Sequence, residues 1–248
     1  MTAPIITLLT DFGTRDSYVA EVKAAVLSAA PVARLVDVTH EIPPGDIRAA
    51  AFILSRVWRR FPLGTVHVVV VDPGVGTGRR ALAARGGDHF FVAPDNGLLS
   101  PLPDDTRFVQ LPVPPSASAT FHGRDVFAPA AARLATGTPF SQLGRPVADV
   151  QRSPLPAPHF DGVAWSGEVM YVDRFGTLIT NLRREHVEQG VRLTVGGTDV
   201  GPMRGTFGDV ERGQFVAFVG SGGTVEIAVR GGSAARLLGA GTGAEVRA

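Results

Sequence analysis

Four short turns gather the residues able to do acid–base or ligand chemistry: TDFGTRDS (10–17), VDPGVGTGRR (71–80), APDNG (93–97) and TFHGRD (120–125). Each follows an apolar strand pattern and sets an Asp or a His beside Gly or Pro. Carboxylates there can bind hydroxyls, ammonium groups or metal ions, and can orient water. His122 opens a helix pattern, and a helix N-terminus favours the neutral ring, a form suited to proton transfer. Arg79 and Arg80 can pair with Asp72 or with an anionic group. Taken singly, each Asp serves equally well as a helix cap or a turn residue. Their recurrence points further. Asp11, Asp72 and Asp95 come from three separate strand ends, the edge at which open α/β sheets bind ligands.

Other chemistry is excluded by what the chain lacks. It has no cysteine, which removes thiolate nucleophiles, disulfides and cysteine-held metals. Lys23 is the only lysine, so imine chemistry has one candidate. A net charge of +1 argues against a nucleic-acid footprint or a polybasic membrane patch. Asp11-Phe12-Gly13 spells the kinase metal triplet without a Gly-rich loop or HRD to accompany it. The loop DPGVGTGRR lacks the GK[ST] ending of a phosphate cradle, so its glycines are read as allowing close backbone approach to a ligand. His40, His67, His89, His159 and His186 lie in or beside strands, in the linker or on the surface, and read as structural.

The elements that must position these turns alternate. Ile5–Thr10, Arg34–Val38, Val66–Val71, His89–Ala93 and Arg107–Leu111 read as strands, and VHVVVV is apolar enough to be buried on both faces. Helices are expected over Ser17–Ala30, over Ile47–Arg60 capped by Asp46, and over Asp125–Ala135. This is an α/β layer pattern with a largely parallel sheet, spanning residues 1–150. Pro139, Pro146, Pro154, Pro156 and Pro158 mark a linker at about 139–160. From 160 to 248, VAWSGEVMYVD, RLTVGG, QFVAFVG and TVEIAVR alternate with Gly-rich turns, as in a small antiparallel barrel or sandwich. With 30 glycines and 19 prolines among 248 residues, the chain stays below the ~25–30% typical of low complexity. No segment reaches the ~18 apolar residues of a membrane span. MTAPIITLLTDFG lacks a basic region and meets Asp11 early, so no secretion signal is expected and the location expected is cytoplasmic.

The residues alone leave three readings open. One is a hydrolase or transferase in which an Asp/Arg/His cluster positions water. Another is a metal-dependent phosphoesterase with Asp11, Asp72, Asp95 and His122 as ligands. The third is a nucleoside-binding module whose carboxylates grip ribose hydroxyls.

The blocks TDFGTRDSYVAEVKA, VDVTHEIPPGDIRAAAFIL, VHVVVVDPGVGTGRR, VAPDNGLLSPL, TFHGRDVFAPAAARLA, YVDRFGTLITN and VGSGGTVEIAV, in this order over nearly the whole chain, resemble the S-adenosyl-L-methionine (SAM) hydroxide adenosyltransferases, relatives of fluorinases and chlorinases. The resemblance implies an N-terminal Rossmann-like α/β/α layered domain and a smaller C-terminal β-barrel domain. It implies a homotrimer with sites between subunits, and metal-free hydrolysis of SAM to adenosine and L-methionine, SAM being substrate and no cofactor being needed. In the family's pattern Asp72, Arg79 and His122 form the catalytic Asp–Arg–His set. Asp72 is implied to orient the water, Arg79 to hold that carboxylate ionised, and His122 to accept or relay the proton. Asp11 matches the acid on the ribose hydroxyls, and Asp173 the acid on the methionine ammonium. Ser221, Glu226 and Val229 match positions lining the adenine and methionine pocket. Thr177 stands where relatives carry Asn, with Asn181 as a possible substitute. The halogenases carry other residues at positions 72 and 122 and a Ser in place of Gly123. Halide transfer is therefore the alternative within the family, and Asp72 argues against it because a carboxylate repels an anion.

Overall fold

Apolar, β-branched runs build the first sheet. In the computed structural model, which describes residues 3–188 and 190–248, the chain divides after Leu155 into two compact units. The first unit contains, in order, β1 (Ile5–Thr10), α1 (Tyr18–Ala29), β2 (Arg34–Thr39), α2 (Ile47–Val57), β3 (Val66–Val70), β4 (Ala81–Gly86), β5 (His89–Pro94), β6 (Arg107–Gln110), α3 (Ala128–Ala135) and β7 (Arg145–Val147). Their order across the sheet is β2-β1-β3-β5-β4-β6-β7.

The half of the sheet that bears the Asp11, Asp72 and Asp95 turns, β2-β1-β3-β5, is parallel. The other half is antiparallel, which corrects the largely parallel sheet expected. The difference is β4, whose sequence ALAARG has too little β-propensity to announce a strand. Side chains alternate cleanly. Ile6, Leu8, Val66, Val68 and Val70 pack with Val22 and Val26 of α1 and with α3. Thr7, His67 and Phe91 sit one residue out of phase, beside Trp58, whose ring lies 5.6 Å from that of Phe91. Asp46 caps α2 as expected, accepting a 2.8 Å bond from the Ala49 amide, a contact worth about 1 kcal/mol. The helix expected at Asp125 begins earlier, as a π-turn over Gly123–Phe127, and continues into α3.

Part of the proline-rich segment is folded. Phe140–Gln142 form a 3-10 turn, and β7 pairs with β6 as an edge strand. Pro146 hides this strand from a sequence reading, and only an edge tolerates the donor it lacks.

The second unit is built from β8 (His159–Phe160), β9 (Trp165–Val172), β10 (Leu178–Arg183), β11 (Arg192–Val195), β12 (Thr198–Pro202), β13 (Phe215–Val219), β14 (Thr224–Val229), α4 (Ala234–Leu238) and β15 (Glu245–Arg247). The strands form a second large sheet, β12-β11-β15-β9-β10-β14-β13, with β8 beside β9. A bridge between Met203 and Ala217, with the Arg204 amide 2.7 Å from the Ala217 carbonyl, brings the two margins together and nearly closes the sheet. Leu178, Leu182, Leu193, Ile227 and Val246 fill the interior. The molecule is thus mixed α/β with two large sheets, one nearly barrel-shaped. Among the described residues, no helix is long and apolar enough to cross a membrane. Met1 and Thr2, part of the segment read against a secretion signal, lie outside those residues.

Candidate active site

Asp72 stands just past β3, and the chain from it must turn back for Arg79 to meet it. Two successive turns do this: the Val75 amide bonds the Asp72 carbonyl at 3.2 Å, and the Thr77 hydroxyl bonds the Gly74 carbonyl at 2.7 Å. Arg79 Nε then donates to Asp72 Oδ1 at 2.9 Å, and Arg79 Nη2 donates to Asp72 Oδ2. The same Nη2 lies 2.9 Å from His122 Nδ1. Both charged side chains are nearly buried, 6% exposed for Asp72 and 9% for Arg79.

The contact fixes the state of His122. A guanidinium only donates, so Nδ1 must accept, and the neutral ring carries its proton on Nε2. Burial holds the His122 pKa below the ordinary value of 6.5, and the Arg79 charge lowers it further, against the opposing pull of Asp72 and Asp125. The ring can therefore donate from Nε2 toward a ligand while Nδ1 stays tied to Arg79.

Asp11, Asp72 and His122 share one cavity of about 330 Å³ in the first unit, walled by Phe12, Phe121 and Gly45. Asp11 Oδ2 accepts from the Gly45 amide at 2.9 Å, which pins the carboxylate through one oxygen and leaves Oδ1 for a ligand. His40 supports that turn from behind: its Nδ1 is 2.8 Å from the Thr10 hydroxyl, and its Nε2 is 3.1 Å from Asp37. Asp95 does not join the rim. It is 6% exposed and bonded by Arg80 and by the Gln151 amide, so the acidic rim expected from three strand ends is built from two. Among the described residues, no group of three or more Asp, Glu or His side chains is arranged to hold a metal ion.

The remaining expected residues line a second cavity of about 660 Å³ in the second unit: Asp173, Thr177, Ser221, Glu226 and Val229. Asp173 Oδ1 accepts from the amides of Phe175 (2.9 Å) and Thr177 (2.8 Å). Like Asp11, it is pinned through one oxygen. Thr177 is 5% exposed and spends its backbone on this turn. Asn181 is no substitute for it: its Oδ1 accepts from the Glu168 amide at 2.8 Å and its Nδ2 donates to the Pro156 carbonyl at 3.0 Å. Gly220 makes room for Glu226, since a Cβ there would stand 2.0 Å from the Glu226 carboxylate. Sequence reasoning missed the aromatic lining, Phe175, Phe207 and Phe218. Phe175 sits inside the quoted YVDRFGT block, and an aromatic residue two positions after Asp173 in a glycine-bounded turn was the available signal. His67 and His89 are buried in the first unit's core; His159 and His186 line neither cavity.

The model of the SAM hydroxide adenosyltransferase N-terminal domain matches residues 6–144, and that of the C-terminal domain matches residues 167–247. An (R)-S-adenosyl-L-methionine hydrolase of Thermus thermophilus is 46% identical, covering 96% of this chain and 97% of its own. A hydrolase of the same name from Salinispora arenicola is 41% identical over 98% and 97%. A fluorinase of Actinoplanes sp. is 30% identical over 91% and 90%. Among solved structures, an uncharacterized conserved protein from Thermotoga maritima superposes with a TM-score of 0.90 at 34% identity, covering 98% of each chain. With both domain models matched in order and relatives aligned along nearly its whole length, the chain belongs to the SAM hydroxide adenosyltransferase family.

Proposed function

We propose that this protein hydrolyses SAM to adenosine and L-methionine by in-line attack of water on the ribose C5′. The observation that carries the reading is the Asp72–Arg79–His122 chain opening into the cavity that Asp11 also lines. Its support from outside is the hydrolase name borne by relatives at 46% and 41% identity. In the reaction the C5′–S bond breaks with its electron pair passing to the sulfonium sulfur, and the C5′–O bond forms. A sulfonium leaves readily, so no general acid is needed, and holding the water in line is the larger task, worth ~7–11 kcal/mol when complete. Asp72 orients and polarises that water, and Arg79 holds the carboxylate in place through its two hydrogen bonds. The attacking oxygen becomes acidic as the C5′–O bond forms, and its surplus proton passes to the Asp72 carboxylate that already accepts from it and then to solvent, while His122, tied through Nδ1 to Arg79, holds its Nε2–H at the same site. Asp11 accepts from the ribose hydroxyls and Asp173 from the methionine ammonium. Ser221, Glu226, Val229 and Thr177 complete the pocket, and the Phe175 and Phe207 rings supply faces for a flat base.

No metal or cofactor takes part in this reading. The first unit is Rossmann-like in its layering, the protein works as a cytoplasmic homotrimer, and each site takes the first unit of one subunit and the second unit of the next. The fluorinase relative makes halide transfer the second reading, opposed by the carboxylate of Asp72 at the nucleophile's position. The test is SAM incubated with the protein, with and without chelator and chloride, and its products separated by chromatography. Equal release of adenosine and methionine in every mixture is expected. Intact SAM, activity abolished by chelator, or 5′-chloroadenosine as the product would overturn the reading.

A further inference from the structure

The loop from Asp72 to Arg79 has little stiffness of its own. It contains Gly74, Gly76 and Gly78, residues that leave the backbone free to move, and its internal ties are the two turns described above and the Arg79–Asp72 pair whose geometry the loop must hold. Its ends are held from outside, both by the turn that follows β5. At the leading end, Asn96 Nδ2 donates at 2.9 Å to the carbonyl of Val71, the residue before Asp72. The Asn96 amide is itself oriented, since its Oδ1 accepts from the Leu98 amide at 3.3 Å. At the trailing end, Arg80, the residue after Arg79, accepts the Asp95 amide on its carbonyl at 2.9 Å and donates from Nε to Asp95 Oδ2 at 2.7 Å. Asp95 Oδ1 takes the Gln151 amide at 2.8 Å, and Arg80 Nη1 reaches Asp149 at 2.7 Å, so a stretch of chain is strapped over the same knot. Neither Asp95 nor Asn96 lines the cavity.

We infer that Asn96 and Asp95 are positioning residues for the hydrolysis, clamping both ends of the 72–79 loop so that Asp72 and Arg79 hold the attacking water in line. This rests on the reading of Asp72, Arg79 and His122 as the water-activating set. The geometry has a specific consequence: loosening either clamp moves the catalytic carboxylate, with Pro73 and Val75 of the same loop, while Asp11 and Asp173, read as the groups that grip the substrate, lie outside the loop. A displacement near 1 Å costs about 10²-fold in rate, so the loss falls on kcat and leaves KM alone.

The test is a double-mutant cycle on the intact protein, with kcat, KM for SAM and thermal midpoint measured for Asn96→Ala, Asp72→Asn and the double variant. Asn96→Asp is a second variant of near-equal volume that exchanges the donor for an acceptor, and it is expected to show the same loss. For Asn96→Ala, kcat is expected to fall about 10- to 100-fold with KM within about twofold of wild type. In the Asp72→Asn background the same change should cost nothing further, because the residue it positions is gone. Wild-type kcat in both Asn96 variants, or losses that multiply in the double variant, would overturn the inference and leave the proposed function standing. A rise in KM at unchanged kcat would do the same. Wild-type turnover in Asp72→Asn would overturn the triad reading and the inference together.

Discussion

Arg79 links an anion to a neutral ring with one planar group, and that double engagement makes it irreplaceable by lysine. A single ammonium cannot reach both carboxylate oxygens and the imidazole in one plane. The arrangement also sets a pH dependence. Nδ1 of His122 accepts from Arg79 only while unprotonated, and the ring's pKa is held below 6.5. The contact is therefore complete at pH 7 and is lost as pH falls through the lowered value. A pH profile of kcat/KM should be flat near neutrality, with an acid limb below 6.5 that changes in His122→Gln; a limb centred above 6.5 would contradict the assignment. By residue type and position alone Asp72 and Asp95 read alike, each an Asp beside Pro after an apolar strand, and only the family resemblance sets Asp72 apart. What separates them is Arg79 on one and Arg80 with Gln151 on the other. Asn96 had no spacing signal at all, because its partner is a carbonyl 25 residues away.

At the level of elements, strand ends and helix caps could be read because period-2 apolar runs and a capping Asp are local signals. Those of β4 and β7 were hidden by alanine and proline, and their pairing is decided by neighbours far along the chain. A buried polar row was equally hidden. Thr7 on β1, His67 on β3 and His89 on β5 form a chain across the sheet, with bonds of 2.8 and 3.2 Å, packed against Trp58. Burial, with a contribution from His89, pushes His67 down to about 3, and burial also lowers His89, with Asp88 opposing and Arg59 assisting. Both shifts are downward, so the unfolded chain takes up protons first as pH drops below 6.5. The stability these rings contribute is present above that pH and is lost on acidification, by about 1.4 kcal/mol per pH unit for His67 between roughly pH 5.5 and 4. Thermal midpoints measured from pH 7 to 4 should fall steeply for the wild type and less steeply for His67→Gln.

For the whole molecule, the proposed function puts the water-activating set and the ribose-binding Asp11 in the first unit and the methionine-binding Asp173 in the second, each unit with its own cavity and its own Asp pinned through a single oxygen. Division of labour predicts division of kinetic effect. Losing a charge-assisted bond to an ammonium costs about 1.5–3 kcal/mol, so Asp173→Ala should raise KM for SAM by roughly 10- to 150-fold while kcat changes little. A change confined to kcat would move Asp173 out of the substrate pocket. The two-part organisation was legible in the shift from mixed α/β to short β segments, whereas the aromatic lining of the second cavity depends on the β9–β10 hairpin and a 3-10 turn between β12 and β13, which bring Phe175 and Phe207 to one cavity from distant positions. The sheets themselves also differ in how they end. The second nearly closes through the Met203–Ala217 bridge and leaves little open margin. The first has β2 at one margin and, at the other, β7, three residues long with Pro146 at its centre. An exposed strand is a template on which another chain can add itself, and a short one lacking a donor is a poor template. The proline that obscures this strand in the sequence thus guards that margin of the sheet against edge-to-edge aggregation.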